Sequence, residues 1–454
     1  MNIDKTEEIT MHLLPSRRLI VTVTALLALF YGCGPTSTTS TTTSTTTSLD
    51  INVTRTYAIV DTNQTLCYNA GNGATATCTE GLDGYTLTNE PNYTTVTQNG
   101  DTATLDHVTG LAWQKTSNST KLTPTAAAIY CSDLSYAGYS DWRLPTIKEL
   151  YSLILFSGVD LSGLSGATTA GQSVDTTGYA PFIHNTYFDV LYGNTSANER
   201  IIDAQYNTAT NYVSTTMNGS ATMFGVNFVD GRIKGYNFTS TFYTRCVRGN
   251  SSYGTNNFTN NANGTISDSA TGLMWEQNDT NSTDYNNAVA VCTASTTGDH
   301  SDWRLPNVKE LQSIVDYTKS PDTTQSAAIN TTYFNATSFI NEEGVTDWGY
   351  YWSSTTHVDS DGLGQNGAYV SFGRALGYMT IATVSAIYDV HGAGAQRSNY
   401  KGSTQIINGA TASYTPESNA TYKDTYATGK YYIKGPQGDI LRVNNMVRCV
   451  RNIN

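Results

Sequence analysis

Ser140-Asp141-Trp142-Arg143-Leu144-Pro145-Thr146-Ile147-Lys148-Glu149-Leu150 returns 161 residues later as Ser301-Asp302-Trp303-Arg304-Leu305-Pro306-Asn307-Val308-Lys309-Glu310-Leu311. A proline followed by Ile147, Leu150, Tyr151 and Ile154 at helical spacing predicts a short helix starting at Pro145, and by repetition at Pro306. A Trp-Arg pair at the entrance to that helix suits a ring packed in the core and a guanidinium paired with an acidic group. Lys148-Glu149 and Lys309-Glu310 read as the solvated face of the helix.

The repeat extends on both sides. Thr109-Gly110-Leu111-Ala112-Trp113-Gln114 returns as Thr271-Gly272-Leu273-Met274-Trp275-Glu276, Cys131 as Cys292, and each copy closes on Arg-Cys-Val-Arg, at 245–248 and 448–451. Thr125–Leu134 and Tyr285–Ala294 read as a helix carrying the early cysteine of each copy. The remainder alternates in short runs, such as Ala368-Tyr369-Val370-Ser371-Phe372, between Gly- and Asn-rich loops, which predicts strands and turns. The paired Arg245/Arg248 and Arg448/Arg451 read as same-face anchors of the core. A period this long means tandem domains rather than a solenoid. The expected fold class is therefore α+β, two tandem copies, each with two helices and small twisted antiparallel sheets.

Seven cysteines are present, at 33, 67, 78, 131, 246, 292 and 449. Setting Cys33 aside leaves six, which alone permit 15 pairings. One early and one late cysteine per copy imply Cys131–Cys246 and Cys292–Cys449, and Cys67–Cys78 closes a local loop. Such stapling belongs to an oxidising compartment.

The N-terminus agrees with export. Arg17 and Arg18 precede an apolar stretch, Leu19–Tyr31, that is too short to span a bilayer and suits a secretory signal. Cys33 after Gly32 resembles a bacterial lipoprotein cysteine, so residues 1–33 are expected to be a signal peptide ending in a lipidation site. Residues 36–48 are Thr or Ser throughout, a spacer unable to bury anything, within a linker spanning 34–50. The remaining segments are a small leader, 51–98, a first copy, 99–249, and a second copy, 262–454. The expected location is the outer membrane or cell surface through a lipid, otherwise periplasmic or secreted.

The 454 residues carry 25 Lys+Arg against 37 Asp+Glu, a net charge of −12, and only 14% are charged. Nucleic acid is thereby disfavoured as a partner, and membrane contact is expected only through the N-terminal lipid. The 31 Tyr and an aromatic content of 11% exclude wholesale disorder.

The order TGLxW, Cys, SDWRLPxxKEL, Tyr351-Trp352-Ser353-Ser354-Thr355 and terminal RCVR resembles the Legionella collagen-like protein C-terminal domain family. Copy two matches throughout. Copy one matches at both ends, with Val213-Ser214-Thr215-Thr216 in place of the Trp-Ser-Ser-Thr run. The resemblance implies a C-type-lectin-like or sulfatase-modifying-factor-like fold, with long loops presenting a binding face. It implies adhesion, including the binding of sulfated glycosaminoglycans by the namesake. At −12 overall, bulk capture of polyanions is disfavoured, and a neutral glycan or a protein ligand is preferred.

Loop residues are the ligand candidates: Trp348, Tyr350 and Tyr378 as exposed aromatics, with Asp359, Asp361 and Arg374 as polar partners. Trp352 reads as core. Asp359-x-Asp361-Gly362 offers carboxylates to a calcium loop, but no terminal Glu follows, so calcium is a lesser alternative and neither metal nor cofactor is expected. No HExxH, GxSxG, P-loop or dinucleotide motif is present, and the cysteines are accounted for by staples and lipid. The expectation is a non-catalytic, surface-displayed binding protein or adhesin. The alternatives are a structural envelope lipoprotein and a sulfatase-modifying-factor-type enzyme.

Overall fold

The computed structural model describes residues 48–402, 421–426, 429–434, 437–442 and 444–453. The signal segment, Cys33 and all but the last residues of the Ser/Thr linker lie outside the described residues. Among the described residues, no helix is long and apolar enough to cross a membrane.

Four short helices are described: α1 (Pro124–Ser132), α2 (Ile147–Tyr151), α3 (Tyr285–Thr293) and α4 (Val308–Ser313). Strands dominate the rest, so the architecture is more β-rich than the expected α+β balance. The SDWRLP run enters its helix differently from the expectation. Pro145 and Pro306 precede the caps, which are Thr146 and Asn307; each forms a reciprocal capping box with Glu149 or Glu310. The side chain at the cap accepts the N3 amide and the glutamate accepts the cap's own amide, satisfying two orphan donors at the helix start. The same glutamates take Arg143 and Arg304 in two-pronged pairs at 2.6–2.7 Å. Trp142 and Trp303 are buried beside them, and each indole N–H donates at 3.0 Å to a backbone carbonyl, of Tyr136 and Thr297.

The principal sheet runs through both copies. Copy one contributes β1 (Asn118–Leu122), β2 (Gln205–Tyr206), β3 (Ser220–Asn227), β4 (Arg232–Asn237) and β5 (Phe242–Thr244). Copy two contributes β6 (Thr280–Thr283), β7 (Tyr350–His357), β8 (Asn366–Ser371), β9 (Gln396–Tyr400) and β10 (Asn445–Val447). The order is β6-β10-β7-β8-β9-β4-β3-β2-β5-β1. Read from either end, the halves have the same sequence of roles, and they meet where β4 pairs antiparallel with β9. That is the arrangement of a twofold axis. The copies expected as tandem domains are halves of one compact unit, Thr46–Asn454, because the edge strand of each is completed by the other.

Each copy also has a four-stranded sheet containing its TGLxW strand, Leu111–Gln114 or Leu273–Glu276. Copy two alone adds a five-stranded sheet, inserted between β8 and β10, whose strands include Leu376–Ile381 and Val384–Asp389. The disulfides are Cys67–Cys78, Cys131–Cys246 and Cys292–Cys449. The two long ones tie α1 and α3 to the point where Arg-Cys-Val-Arg crosses from the large sheet to the small one. The arginines flanking each late cysteine do not share a face, since positions three apart on an extended chain point oppositely. Arg245 and Arg448 are buried and donate to backbone carbonyls, including Gln114 and Glu276. Arg248 and Arg451 turn outward to Asp141 and Asp302.

The twofold corrects the placement of the missing tryptophan. Ala209 N–H donates to Pro145 O as Ser354 N–H does to Pro306 O, both at 2.8 Å. Ile147 N–H donates to Thr210 Oγ1 as Val308 N–H does to Thr355 Oγ1. Asn207-Thr208-Ala209-Thr210 is therefore the counterpart of Trp352-Ser353-Ser354-Thr355, and Val213–Thr216 is not. Trp352 Nε1 donates to Thr283 O at 3.0 Å; Asn207 Nδ2 donates to Leu122 O, the corresponding carbonyl, at 2.9 Å, and also to Phe242 O and Thr244 Oγ1. An amide has replaced an indole while keeping its bond.

Two outcomes follow. Asn207→Ala leaves these buried acceptors unpaired and lowers stability by about 3 kcal/mol in chemical denaturation. Reduction and alkylation of the three disulfides lowers the melting temperature by roughly 10 °C or more, since each long bridge is worth about 4–5 kcal/mol in the chain-entropy model. An unchanged curve with all six thiols alkylated contradicts that.

Candidate functional site

The lysines of the two KEL runs do not stand on a solvated helix face: Lys148 is half-buried and Lys309 is buried. Lys309 is 3% exposed. Its Nζ donates to Ser152 O at 2.8 Å and to Asp61 O at 3.1 Å. Lys148 does the same in reverse: its Nζ donates to Ser313 O at 2.8 Å, and to Gly254 O and Asn256 Oδ1 at 3.2 Å. Each lysine crosses to the C-terminal end of the other copy's helix, where carbonyls lack intrahelical partners and the helix dipole is negative. Burial lowers both ammonium groups, Lys148 to about 8 and Lys309 to about 7.

A cleft of about 430 Å³ opens beside Lys148, between α2, the connector Ser251–Phe258 and the turn Ile314–Tyr317 of copy two. Its size falls in the range of ligand pockets. Tyr253 packs edge-on against Tyr57, Phe258 against Phe334, and Tyr317 against Phe224. Asn256, Asn330, Thr210 and the Asp316 carboxylate supply polar groups. Asp316 Oδ1 accepts from Thr318 N and Oγ1. The Tyr317 hydroxyl donates to Gly394 O at 3.1 Å and accepts from Gln312 Nε2, which fixes the ring as a wall.

The corresponding position in copy two is filled by the leader. Phe156 N–H, the twin of Tyr317 N–H, donates to Thr62 O at 2.7 Å. Gln64 Nε2 donates to Phe156 O and to Thr356 O, while its Oε1 accepts from Thr356 N–H. Thr355 Oγ1, the twin of Thr210 Oγ1, donates to Asp83 Oδ2 at 2.5 Å, as does Thr62 Oγ1 at 2.9 Å. Asp83 is buried, and desolvation pushes its carboxyl up to about 7.

A family model described as the Lcl C-terminal domain matches residues 102–248 and 264–390. The chain belongs to the Lcl C-terminal domain family. No curated protein matches it. The second match stops at Val390, before β9, β10 and Cys449. The cleft lies where the two Lcl domains meet.

The loop candidates of the second Lcl domain are differently placed. Tyr350, expected to be exposed, is buried: it starts β7, stacks on Tyr369, and its hydroxyl accepts from Leu376 N–H. Trp348 is half-buried against the core, with Nε1 donating to Ala336 O at 3.3 Å. Arg374 is held by Asp322 and by Asp347, so its charge is committed to the fold. Tyr378 is half-buried, packed like Ile433 against the cluster of Leu376, Ile387 and Ile440. Asp361 is exposed and accepts from Leu363 N–H. Trp352 is core, as expected, packed on Tyr285.

Asp359 accepts from Asn366 Nδ2 at 2.6 Å and stands with Asp160 and His357, their ligand atoms within 4.8 Å of one another. Among the described residues this is the one such group. It does not fit a calcium cage. Arg232 Nη1 lies 2.6 Å from Asp160 Oδ2, which holds that carboxyl well below its usual range, and calcium requires six or more oxygens. Sequence reasoning missed the cleft; the signal that could have found it is the unequal chain ahead of the two repeats, since the leader is long, whereas the connector runs from Gly254 almost directly into Phe258–Asn260.

Asp83 gives a pH test. Its carboxyl in the folded chain sits above the ordinary 3.8, so the stability it contributes is complete below about pH 4 and is lost as pH rises through 7. Asp83→Asn, whose Oδ1 still accepts from Thr62 and Thr355, is expected to melt higher than the parent at pH 8 and to match it near pH 4. A constant difference across that range contradicts the assignment.

Proposed function

We propose that this chain is a surface-displayed, non-catalytic binding protein whose ligand, a neutral glycan or a protein, enters the cleft between its two Lcl domains. The cleft carries this reading. It is the one place described above where aromatic walls, carboxamides and a carboxylate face open space, while the loop aromatics are committed to packing. Its lining holds one ammonium, Lys148, and one carboxylate, Asp316, whose charges sum to zero, so a ligand gains nothing from being a polyanion. Display rests on the lipoprotein-like N-terminus: a signal, a lipidated Cys33 and a Ser/Thr spacer would hold the unit clear of an outer membrane or cell surface. A lectin-like arrangement of each copy, two helices flanking twisted sheets, belongs to the same proposal.

The non-catalytic reading is supported by the state of the reactive groups. The six cysteines other than Cys33 are paired in disulfides, which leaves no free thiol among the described residues for sulfatase-modifying chemistry. Asp83, Lys148 and Lys309, displaced by burial, are hydrogen-bonded into the fold rather than paired as acid and base.

The test is a neutral-glycan and matrix-protein array probed with the full-length chain and with Thr255→Trp, which places a bulky ring at an exposed position lining the cleft. Saturable binding that weakens at least about tenfold in the variant and changes little between low and high salt is expected. Silence across the array contradicts the binding role and favours the structural envelope alternative.

A further inference from the structure

The twofold makes the filled cleft of copy two a template for the open one of copy one. In copy two the leader is an extended chain that meets the fold mainly through its backbone and one carboxamide: Asp61 O on Lys309, Thr62 O on Phe156 N–H, and Gln64 on Phe156 O and both backbone groups of Thr356. In copy one the connector supplies only the first of these, Gly254 O on Lys148. It then enters its strand, where the leader continues through the Cys67–Cys78 loop and Asp83 before reaching Tyr93.

The groups left over in copy one are specific. Tyr317, the twin of Phe156, has no partner for its backbone N–H or carbonyl among the described residues. Thr210 Oγ1 accepts from Ile147 N–H at 3.0 Å but has no acceptor among the described residues for its own proton, where Thr355 has Asp83. The two residues that hold these groups, Tyr317 and Thr210, both line the cleft. One backbone donor, one backbone acceptor and one hydroxyl donor, in a wall of fixed geometry, match the edge of an extended chain better than a ring of sugar hydroxyls.

We infer that the open cleft of copy one docks an extended polypeptide segment bearing a carboxamide side chain, held at Tyr317 as residues 61–64 are held at Phe156. A backbone carbonyl of the segment accepts from Tyr317 N–H, a Gln or Asn side chain two residues on donates to Tyr317 O, and the Thr210 hydroxyl donates to an oxygen of the segment. This rests on the binding role proposed above and narrows its ligand from glycan or protein to protein.

The probe is a synthetic peptide of residues 59–66, Ile59 to Leu66, titrated into the full-length chain by calorimetry, with neutral oligosaccharides in parallel. Hydrogen exchange is followed by mass spectrometry in fragments containing Tyr317. Saturable peptide binding is expected, with exchange at Tyr317 slowed about tenfold at ten times the dissociation constant. Binding should weaken when the peptide carries Ala for Gln64, and should be lost in Thr255→Trp with an unchanged melting curve. If Thr255→Trp misfolds, Ser251→Trp, at another exposed position of the connector lining the cleft, and the exchange measurement on the parent chain decide. Oligosaccharide binding at Tyr317 with a silent peptide overturns the inference and leaves the binding role standing. Peptide binding that leaves Tyr317 exchange unchanged also overturns it. Silence of peptide and oligosaccharide overturns it too and, with a silent array, removes the binding role as well.

Discussion

The exchange of two ammonium groups between two helix ends, Lys309 buried and Lys148 half-buried, is the contact on which the arrangement of the copies depends. Lys148 reaches Ser313 O and Lys309 reaches Ser152 O, both at 2.8 Å. The strand junction itself is slight: β4 and β9 are matched at Ile233 and Gln396. The lysine bonds add direction to that slight pairing, since each ammonium is desolvated and every acceptor it loses costs more than a surface bond would. Lowered proton affinity is the cost of the position, and three acceptors around Lys148 are the compensation. Breaking the register by one residue would strand both charges in the interior at once, which makes a slipped pairing of the copies far less stable than the observed one.

That constraint explains why the KEL run reads differently in sequence and in space. Periodicity marks Ile147 and Leu150 as one face of a helix and leaves Lys148 on another. A helix of five or six residues has few solvated positions once a second copy packs against it, however, and no pattern within one copy reveals the other. The same limit applies at Tyr350. Its surroundings, Asp347-Trp348-Gly349, have the composition of a binding loop, yet β7 begins at Tyr350 and its ring stacks on Tyr369 of β8.

What was legible came from groups whose partners lie close in sequence or in the repeat. Trp142 and Trp303 as core, Arg143 and Arg304 on acidic partners, and one long disulfide per copy needed only the duplicated pattern. The Asn207 substitution was hidden for a physical reason. An alignment seeks a similar letter, and Val213–Thr216 supplies Ser and Thr, whereas the fold keeps a donor to the carbonyl of residue 122 and accepts any side chain that provides it. The cleft was hidden as well, because Thr210, Asn256, Asp316 and Asn330 come from four separate segments.

Duplication alone would give two equal clefts. The leader breaks that equality: between Asp61 and Tyr93 it carries a disulfide-closed loop and the buried Asp83, and it completes the wall of copy two with bonds to Phe156, Thr355 and Thr356. The connector between the copies is too short to do the same for copy one. The pair is thereby made unequal: one half is satisfied from within the chain, whereas the equivalent backbone groups of Tyr317 in the other have no partner among the described residues. The degeneration of copy one follows the same division. Its strand and helix positions that meet the twofold are kept, whereas the Trp of the Trp-Ser-Ser-Thr run, which packs within a copy rather than across the axis, could be exchanged for an amide.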